Sequence, residues 1–288
     1  AQELWRPVVR TTGDEAVFAA RYDTPSRENV VRFLTFDLEN PNSILACLRA
    51  ARENARSIRE VISSEMWEQA NTFFLMVNAA TAKEHARDAP HDFFTAVKQA
   101  SHLFEGLNDA TMSHAEGWHF CRMGRLLERA DKTSRILDIT NLLDLSATST
   151  LPPQLDPLQW AAVLRSTSAF EMYRKRYHNL VPAQIVEFLL LDRDFPRSVH
   201  HCVTSVDESL HALSGAPPAT FRNPAEQHLG RLRAELAYSE VRDILENSLH
   251  EFIDTLQTKL DRVGDSIFAT FFALRPIGGT PSEESKSP

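Results

Sequence analysis

The stretch GRLLERADKTSRIL, residues 124–137, places charged side chains along one side of a predicted helix and apolar side chains along the other. Glu128 is central on the charged side, Arg125 and Arg135 flank it, and Arg129 follows it directly. Carboxylates and guanidinium groups at three- and four-residue spacing can form ion pairs or hold a charged ligand. We therefore treat these four residues as candidate binding residues.

A second charged stripe occupies RAARENARSIRE, residues 49–60, and its candidate binding residues are Arg52, Arg56, Arg59 and Glu60. Unpaired guanidinium groups are not tolerated in a dry core, so these arginines must face water, an acidic partner or an anionic ligand. A solvated face is the simpler interpretation. The alternative is a groove between helices that holds carboxylates or phosphates through bidentate arginine contacts.

The elements that carry these stripes are predicted to be long helices. Helical periodicity dominates, alternating strand patterns are nearly absent, and the chain has only nine glycines, so strand-rich folds are disfavoured. Ser43 or Asn42 and Asn223 are suitable N-caps. The predicted helices cover 44–77, 114–139, 225–238 and 240–275.

An internal repeat relates two parts of the chain at an offset of 155 residues. FLTFDLENPNSILAC (33–47) matches FLLLDRDFPRSVHHC (188–202), and twelve of the 43 positions from 5 to 47 are identical to their counterparts. About two or three identities would be expected from average composition. The repeat predicts an all-α bundle of two homologous halves with a duplicated core. Its matched aromatics are expected to be buried: Phe33, Phe188, Trp5 and Trp160.

The repeat also predicts the domain organisation. Residues 1–276 are expected to form a single all-helical domain, with one half over about 1–112 and the other over about 113–276, followed by a disordered tail at 277–288. At the same offset the counterpart of Glu128 would lie about 27 residues before Ala1, so we expect a first charged helix to be missing from this chain. We further expect Glu128 to face the bundle and to pair with Arg52 or Arg56.

Metal and cofactor chemistry have weak signals. Glu116 and His119, like Glu208 and His211, have the ExxH spacing of di-iron bundles, but the repeat places Arg56 opposite His211. Arginine does not suit a ligand position, so we expect no metal. Since nucleotide-binding glycine loops and a nucleophile elbow are also absent from the sequence, we expect no cofactor.

The composition and the net charge limit the classes of partner that we expect the chain to bind. The net charge of −8 gives no global attraction for nucleic acid, and no apolar run reaches the ~18 residues of a membrane span. Cys47, Cys121 and Cys202 contain no CxxC pair and are predicted to be buried thiols. These features favour a cytoplasmic protein without nucleic-acid or membrane partners.

The chain resembles the bacterial alpha-E family, a group of all-helical domains with a conserved ER motif. The resemblance rests on the Glu128-Arg129 pair and on the segments RENARSIREVISSEMWEQAN, FLLLDRDFPRSV and SLHEFIDTLQ, and it extends to about Arg275. Family members usually begin with an additional helix that bears a first ER pair. The resemblance therefore implies the same fold class as the periodicity and the repeat.

The resemblance implies a function in peptide synthesis, modification or turnover. Alpha-E domains accompany circularly permuted ATP-grasp proteins of the amide-ligase type, and often a transglutaminase-like protein and a proteasome-related peptidase. The preferred hypothesis is a non-catalytic accessory or scaffolding component that binds its partner, or an anionic or peptide substrate, through the Arg/Glu-lined grooves. The alternative is an enzyme in which Glu128 and His119 or His211 act as acid–base groups, with or without a metal. A helical scaffold whose charged stripes only set the packing register is the third possibility.

Overall fold

The computed structural model describes residues 5–82, 90–145 and 157–273, with side chains described over the same ranges except at 82 and 140–145. These residues form helices and connecting turns without a β-strand, which confirms the predicted all-α class. The described helices are α1 (Arg6–Thr11), α2 (Glu15–Ala19), α3 (Arg27–Thr35), α4 (Ile44–Ser57), α5 (Ser64–Ala82), α6 (Pro90–Thr111), α7 (Glu116–Leu145), α8 (Pro157–Ser166), α9 (Phe170–Tyr177), α10 (Pro182–Leu190), α11 (Val199–Ser214), α12 (Pro224–Tyr238), α13 (Val241–Asn247) and α14 (Leu249–Phe271).

Short polar side chains begin several of these helices. The hydroxyl of Ser43 accepts a hydrogen bond from the Ala46 amide at the start of α4. Asn223 does the same for the Glu226 amide at the start of α12, directly before a proline at the first helical position. Each bond satisfies an amide that has no partner within its helix. Both predicted caps are therefore present.

Two of the predicted long helices are interrupted. The 44–77 helix is divided into α4 and α5 by a turn at 58–63, where the Ser63 hydroxyl accepts from the Met66 amide. The 240–275 helix is divided into α13 and α14 at Ser248, which has a φ of 144° and caps the Glu251 amide. In both places a serine side chain replaces the helical backbone bond, and apolar periodicity alone does not reveal such a break.

The main core lies within a four-helix bundle of α7, α11, α12 and α14 and between this bundle and the shorter helices α8–α10 and α13. Around this bundle α7 packs along α11, α11 along α12, α12 along α14, and α14 along α7. Fully buried Leu137, Leu210, Leu229 and Val263 represent the four helices in one continuous apolar cluster. The bundle therefore fixes α7, which carries the Glu128-Arg129 pair, along most of its length.

The first part of the chain has smaller cores. Helix α5 packs against α4 on one side and α6 on the other, with Leu45, Phe73, Val77 and Phe93 in their cluster. A separate cluster under α1–α3 contains Val9, Phe18, Val30 and Phe33. Trp160, Phe33 and Phe188 are buried as expected, whereas Trp5 is only partly buried against the α1–α3 cluster.

The two windows related by the offset of 155 share several local contacts. The rings of Phe18, Tyr22 and Phe33 pack together with centroid distances of 5.1 to 5.7 Å. Their counterparts Tyr173, Tyr177 and Phe188 do so at 5.0 to 6.2 Å. Helix α10 also begins and ends at the positions that the offset gives for α3. These shared contacts support the repeat hypothesis.

The matched aspartates have equivalent structural roles. Asp37 accepts hydrogen bonds from the side chains of Arg21 and Tyr22 and from the Glu39 amide. Asp192 accepts from the side chain of Arg176 and from the amides of Asp194 and Phe195. Each carboxylate thus stabilises the turn before a capped helix: Asp37 precedes α4 and Asp192 precedes α11.

The cysteines differ from the prediction of three buried thiols. Cys202 is buried, and burial raises its pKa to about 11, but Cys47 and Cys121 belong to exposed residues. Cys47 is exposed in the first turn of α4, although its neighbours Leu45 and Ala46 are buried, and Cys121 lies on the α7 face that lines a cleft. Their exposure corrects the prediction for these two positions.

No described helix combines the length and apolar character needed to cross a bilayer.

The predicted break around Pro152 and Pro153 and the predicted tail at 277–288 fall outside the described residues. The proposed boundary between halves, at about 112–113, lies in the turn between α6 and α7.

Candidate functional site

A cleft of about 350 Å³ lies between α6 and α7 and is closed at one side by the turn before α11. We call it the α6–α7 cleft. Among the described residues, four cationic side chains and two glutamates line it, so its wall is more positive than the chain as a whole, which has a net charge of −8. The charged lining residues are Arg125, Arg129, Lys132, Arg197, Glu105 and Glu128.

Glu105 joins the two helices by bridging two arginines. One of its carboxylate oxygens is 2.9 Å from Arg125 Nη1, and the other is 3.0 Å from Arg129 Nη2. The Glu105 side chain is 34% exposed and that of Arg129 only 14%, so the bridge is partly shielded from water. The sequence prediction included both arginines but missed Glu105, because it lies on another helix and no local spacing connects it to them.

Arg129 also holds the turn that begins α11. Its Nη1 donates to the carbonyl oxygen of Pro196 at 3.3 Å, and the Thr133 hydroxyl donates to the carbonyl oxygen of Arg197 at 2.9 Å. Both contacts come from α7, one helical turn apart. They fix the backbone of Arg197, whose side chain lines the cleft.

Two arginines of the cleft carry their positive charge in an unfavourable environment. Burial lowers the pKa of Arg197, and the nearby positive charge of Arg129 lowers it further. Burial is also the main cause of the lowered pKa of Arg125, which Glu105 only partly opposes. Arg125 Nε is buried without a hydrogen-bond partner in the structure, and Arg197 has no ion pair within the described ranges. This arrangement can accept additional negative charge.

Glu128 faces away from the bundle interior, contrary to the expectation. Its side chain is 66% exposed and pairs with Lys132 of the same helix at 3.1 Å. Burial tends to lower the pKa of Lys132, but Glu128 and Asp131 outweigh it, and the net shift is upward. The expected pairing with Arg52 or Arg56 is wrong, because the spacing of the α7 charges already supplies a partner one turn away.

Arg135 and Glu128 of α7 also have neighbours other than the cleft residues. Arg135 Nε binds Asp131 at 2.8 Å, four residues earlier, and Arg135 is not among the residues that line the cleft. Glu128 also lies near Cys47 of α4: desolvation and then the charge of Glu128 raise the pKa of that thiol. The α7 charges therefore face several neighbours rather than one cavity.

The candidate residues of the 49–60 stripe lie on a different surface, formed by α4, the 58–63 turn and α5. Arg52 Nε donates to Asn71 Oδ1 at 2.7 Å, and its guanidinium carbon is 5.9 Å from the ring centre of Trp67 and 5.2 Å from that of Phe74. Arg59 lies over the same indole at 4.9 Å. We call Arg52, Arg56, Arg59, Trp67 and Phe74 the Arg–Trp surface. Glu60 is exposed in the turn beside it.

The histidines of the acid–base alternative have separate surroundings. His211 Nδ1 lies 2.9 Å from the carbonyl oxygen of Asp207, and Nε2 lies 3.1 Å from that of Thr220. Burial, followed by the charges of Arg122 and His114, lowers the pKa of His119. Within the described parts of the chain, no three His, Cys, Asp or Glu side chains are placed to hold a metal ion together. The ExxH spacings thus do not converge there.

Residues 1–272 match the family model named Alpha-E, described as a predicted alpha-helical domain with a conserved ER motif. Comparison with curated proteins and with solved structures gives no match. Glu128-Arg129 is the ER pair of the resemblance, and the structure places its arginine in the Glu105 bridge.

Proposed function

The chain belongs to the alpha-E family, and on that premise we propose that it is a binding component that holds an anionic group of its substrate in the α6–α7 cleft. The single observation that carries this proposal is the lining of the cleft, where four cationic side chains converge on a cavity with two glutamates among the described residues. A cavity of about 350 Å³ is at the lower end of the range for small-molecule sites.

The charge balance supports a carboxylate ligand. Burial, and after it repulsion from Arg129, lowers the pKa of Arg197, and a carboxylate beside Arg197 would stabilise its positive charge. Guanidinium groups bind carboxylates through two parallel hydrogen bonds, and such charge-assisted bonds are stronger than neutral ones. Glu105 already makes charge-assisted contacts within the cleft, since its carboxylate binds one guanidinium nitrogen of Arg125 and one of Arg129. A peptide carboxylate is therefore a suitable ligand.

We further propose that this binding serves an ATP-grasp amide-ligase system. The domain would act as an accessory or scaffolding component beside a circularly permuted ATP-grasp protein, with a transglutaminase-like protein and a proteasome-related peptidase as further partners. The support is the association implied by the family resemblance. A cleft that binds a carboxylate suits this setting, since amide ligation begins from a carboxylate.

The dipeptide Ala-Glu, titrated calorimetrically into the full chain, tests the cleft. We expect binding that weakens about tenfold in Arg197→Gln, which corresponds to the loss of about 1.4 kcal/mol. Arg242→Gln is the matched control, since Arg242 is an exposed arginine of α13 that pairs within its own helix. Equal affinity in the three proteins, or no binding, would count against the cleft. Tighter binding of inorganic phosphate than of Ala-Glu would indicate a phosphoryl ligand instead.

Co-purification with a circularly permuted ATP-grasp protein tests the wider role. We expect association at micromolar concentration and a change in ligase turnover when the domain is added. The absence of both effects would contradict the accessory role without affecting the calorimetric result for the cleft.

A further inference from the structure

We propose that the Arg–Trp surface is a docking surface for an acidic segment of a partner protein, separate from the α6–α7 cleft. The surface combines arginines with aromatic side chains, the residue types that contribute most to binding energy in protein interfaces. It lies on α4, the 58–63 turn and α5, whereas the cleft lies between α6 and α7. The proposal therefore stands whether or not the cleft binds a carboxylate.

The arginine at the centre of this surface is already ordered. Asn71 receives the Nε hydrogen of Arg52, Glu53 lies 2.9 Å from its Nη1, and the rings of Trp67 and Phe74 are both within 6 Å of its guanidinium carbon. The side chain is 28% exposed. An arginine held in this way loses little conformational freedom on binding, so more of its interaction energy is available to a partner.

Arg56 and Arg59, which lie beside Arg52, are only partly neutralised by carboxylates of the chain. The Arg56 side chain is 66% exposed and has a single ion pair among the described residues, 3.5 Å from Glu53. Glu53 is shared with Arg52, so one carboxylate serves two guanidinium groups. Arg59 has a cation–π contact with Trp67 but no ion pair within the described ranges. Glu60 lies in the same turn but makes no ion pair within the described ranges, so carboxylates from outside the chain can still pair with these guanidinium groups.

Apolar side chains border the charge. Ile58 is 41% exposed and Val61 is 54% exposed, and both belong to the turn that contains Arg59. A partner that carried carboxylates alone would leave these side chains in water. The surface therefore fits a segment in which acidic and apolar residues occur together, with the carboxylates on the arginines and the apolar residues on Trp67 and the turn.

Two other occupants fit less well. A second copy of the chain in a twofold interface would bring the same arginines together, because such an interface pairs each patch with itself. A nucleic acid would meet a chain of net charge −8, which opposes binding of a long phosphate polymer outside the local patch. A short acidic segment meets the positive patch without either difficulty.

Fluorescence anisotropy with a short fluorescein-labelled peptide of repeating Glu-Glu-Leu tests the surface on the full chain. We expect saturable binding that weakens about tenfold or more in Arg56→Ala/Arg59→Ala. Both replaced side chains are exposed and belong to no core cluster, so the variant should fold, and circular dichroism would verify this. A Gln-Gln-Leu peptide controls for apolar binding, and Arg242→Ala controls for a general loss of positive charge.

Each outcome decides the question. Loss of Glu-Glu-Leu binding in the double variant, with Arg242→Ala unaffected, supports the proposal. Equal binding by all variants, or equal binding of both peptides, overturns it. Tighter binding of a labelled single-stranded oligonucleotide would indicate a nucleic-acid surface, and a concentration-dependent dimer that the double variant abolishes would indicate a second copy. Either result would contradict an acidic peptide partner.

Discussion

At the scale of single residues, the two members of the ER pair differ in environment. Arg129 has a 14% exposed side chain and binds Glu105 and the Pro196 carbonyl, while Glu128 is 66% exposed and binds Lys132. An ion pair between exposed side chains contributes little to stability, because water screens both charges. A shielded guanidinium with several acceptors contributes more. The arginine should therefore be the structurally demanding member of the pair.

Replacing each member by a neutral residue tests this difference. We expect Glu128→Gln to lower the free energy of unfolding by less than ~1 kcal/mol, since it removes one exposed pair. Arg129→Ala should cost ~2 kcal/mol, because Glu105 and a carbonyl oxygen lose a charged donor. Urea denaturation monitored by circular dichroism gives both values. A larger loss for Glu128→Gln than for Arg129→Ala would contradict the assigned roles.

A buried histidine gives the fold a pH dependence. His200 is 7% exposed, both of its ring nitrogens are buried without hydrogen-bond partners in the structure, and burial followed by nearby arginines lowers its pKa. The unfolded chain therefore binds the proton more readily. Stability is fully present above the unfolded pKa of about 6.5 and is lost as the pH falls from there towards the folded value.

Replacing His200 by leucine, the residue at its repeat-related position 45, should remove this contribution. We expect the stability difference between His200→Leu and the unmodified chain to favour the variant more at pH 5.5 than at pH 8. Thermal melts across that range measure the difference. Parallel pH profiles for the two proteins would show that His200 does not sense the pH of the solution.

At the scale of elements, the sequence predicts helix type and caps better than helix ends. Ser43 and Asn223 are recognisable because each precedes a helical pattern with a polar side chain at the required place. The interruptions at 58–63 and Ser248 lack glycine and proline, so the periodicity continues through them. Ser248-x-x-Glu251 is the pattern of a capping box and could have indicated the second break. The turn at 58–63 depends on tertiary contact, since Ser63 bonds to Thr111 of α6.

The candidate site was predictable in part for a similar reason. The α7 residues follow from spacing within one helix, whereas Glu105 and Arg197 meet them only through the packing of α6 and of the turn before α11. Spacing likewise placed Arg52, Arg56 and Arg59 together but gave no indication that they lie on a surface apart from the cleft. Charges within a helix can be read from the sequence, and their neighbours on other helices cannot.

The two matched turns provide an element-scale prediction. Asp37 and Asp192 each accept backbone amide and side-chain hydrogen bonds, and their side chains are 7% and 5% exposed. We expect Asp37→Ala and Asp192→Ala each to lower the free energy of unfolding by ~1–3 kcal/mol, because the amide and side-chain donors of each turn lose a largely buried acceptor. Urea melts measure the loss. Near-neutral substitution at both positions would remove the equivalent role assigned to the two turns.

At the scale of the whole molecule, the apolar core is unevenly distributed. The bundle of α7, α11, α12 and α14 shares one large cluster with α8–α10 and α13, while α4–α6 and α1–α3 have small separate clusters. Local opening requires less free energy where fewer apolar side chains are buried. The four-helix bundle should therefore be the last part of the protein to open.

Hydrogen exchange followed by mass spectrometry tests this order. We expect amides in α11, α12 and α14 to be protected for longer than those in α4, α5 and α6. The comparison uses helix interiors, so that frayed ends do not contribute. Equal protection of the two groups, or slower exchange in α4–α6, would show that the core clusters do not control opening.

Glu128 and Arg129 are adjacent on α7, so exchanging the two residues would change the contacts of both side chains. Neighbouring residues of a helix point about 100° apart, so the two side chains cannot serve one site with the same contacts. Here the glutamate lies on the side of Cys47, while the arginine reaches Glu105 and the carbonyl of Pro196. Reversing their order would keep the composition and the net charge of the helix, yet it would point a carboxylate at Glu105 and at a carbonyl oxygen. The helix geometry therefore determines the order of glutamate and arginine, and an RE pair at these two positions would not make the contacts of the ER pair.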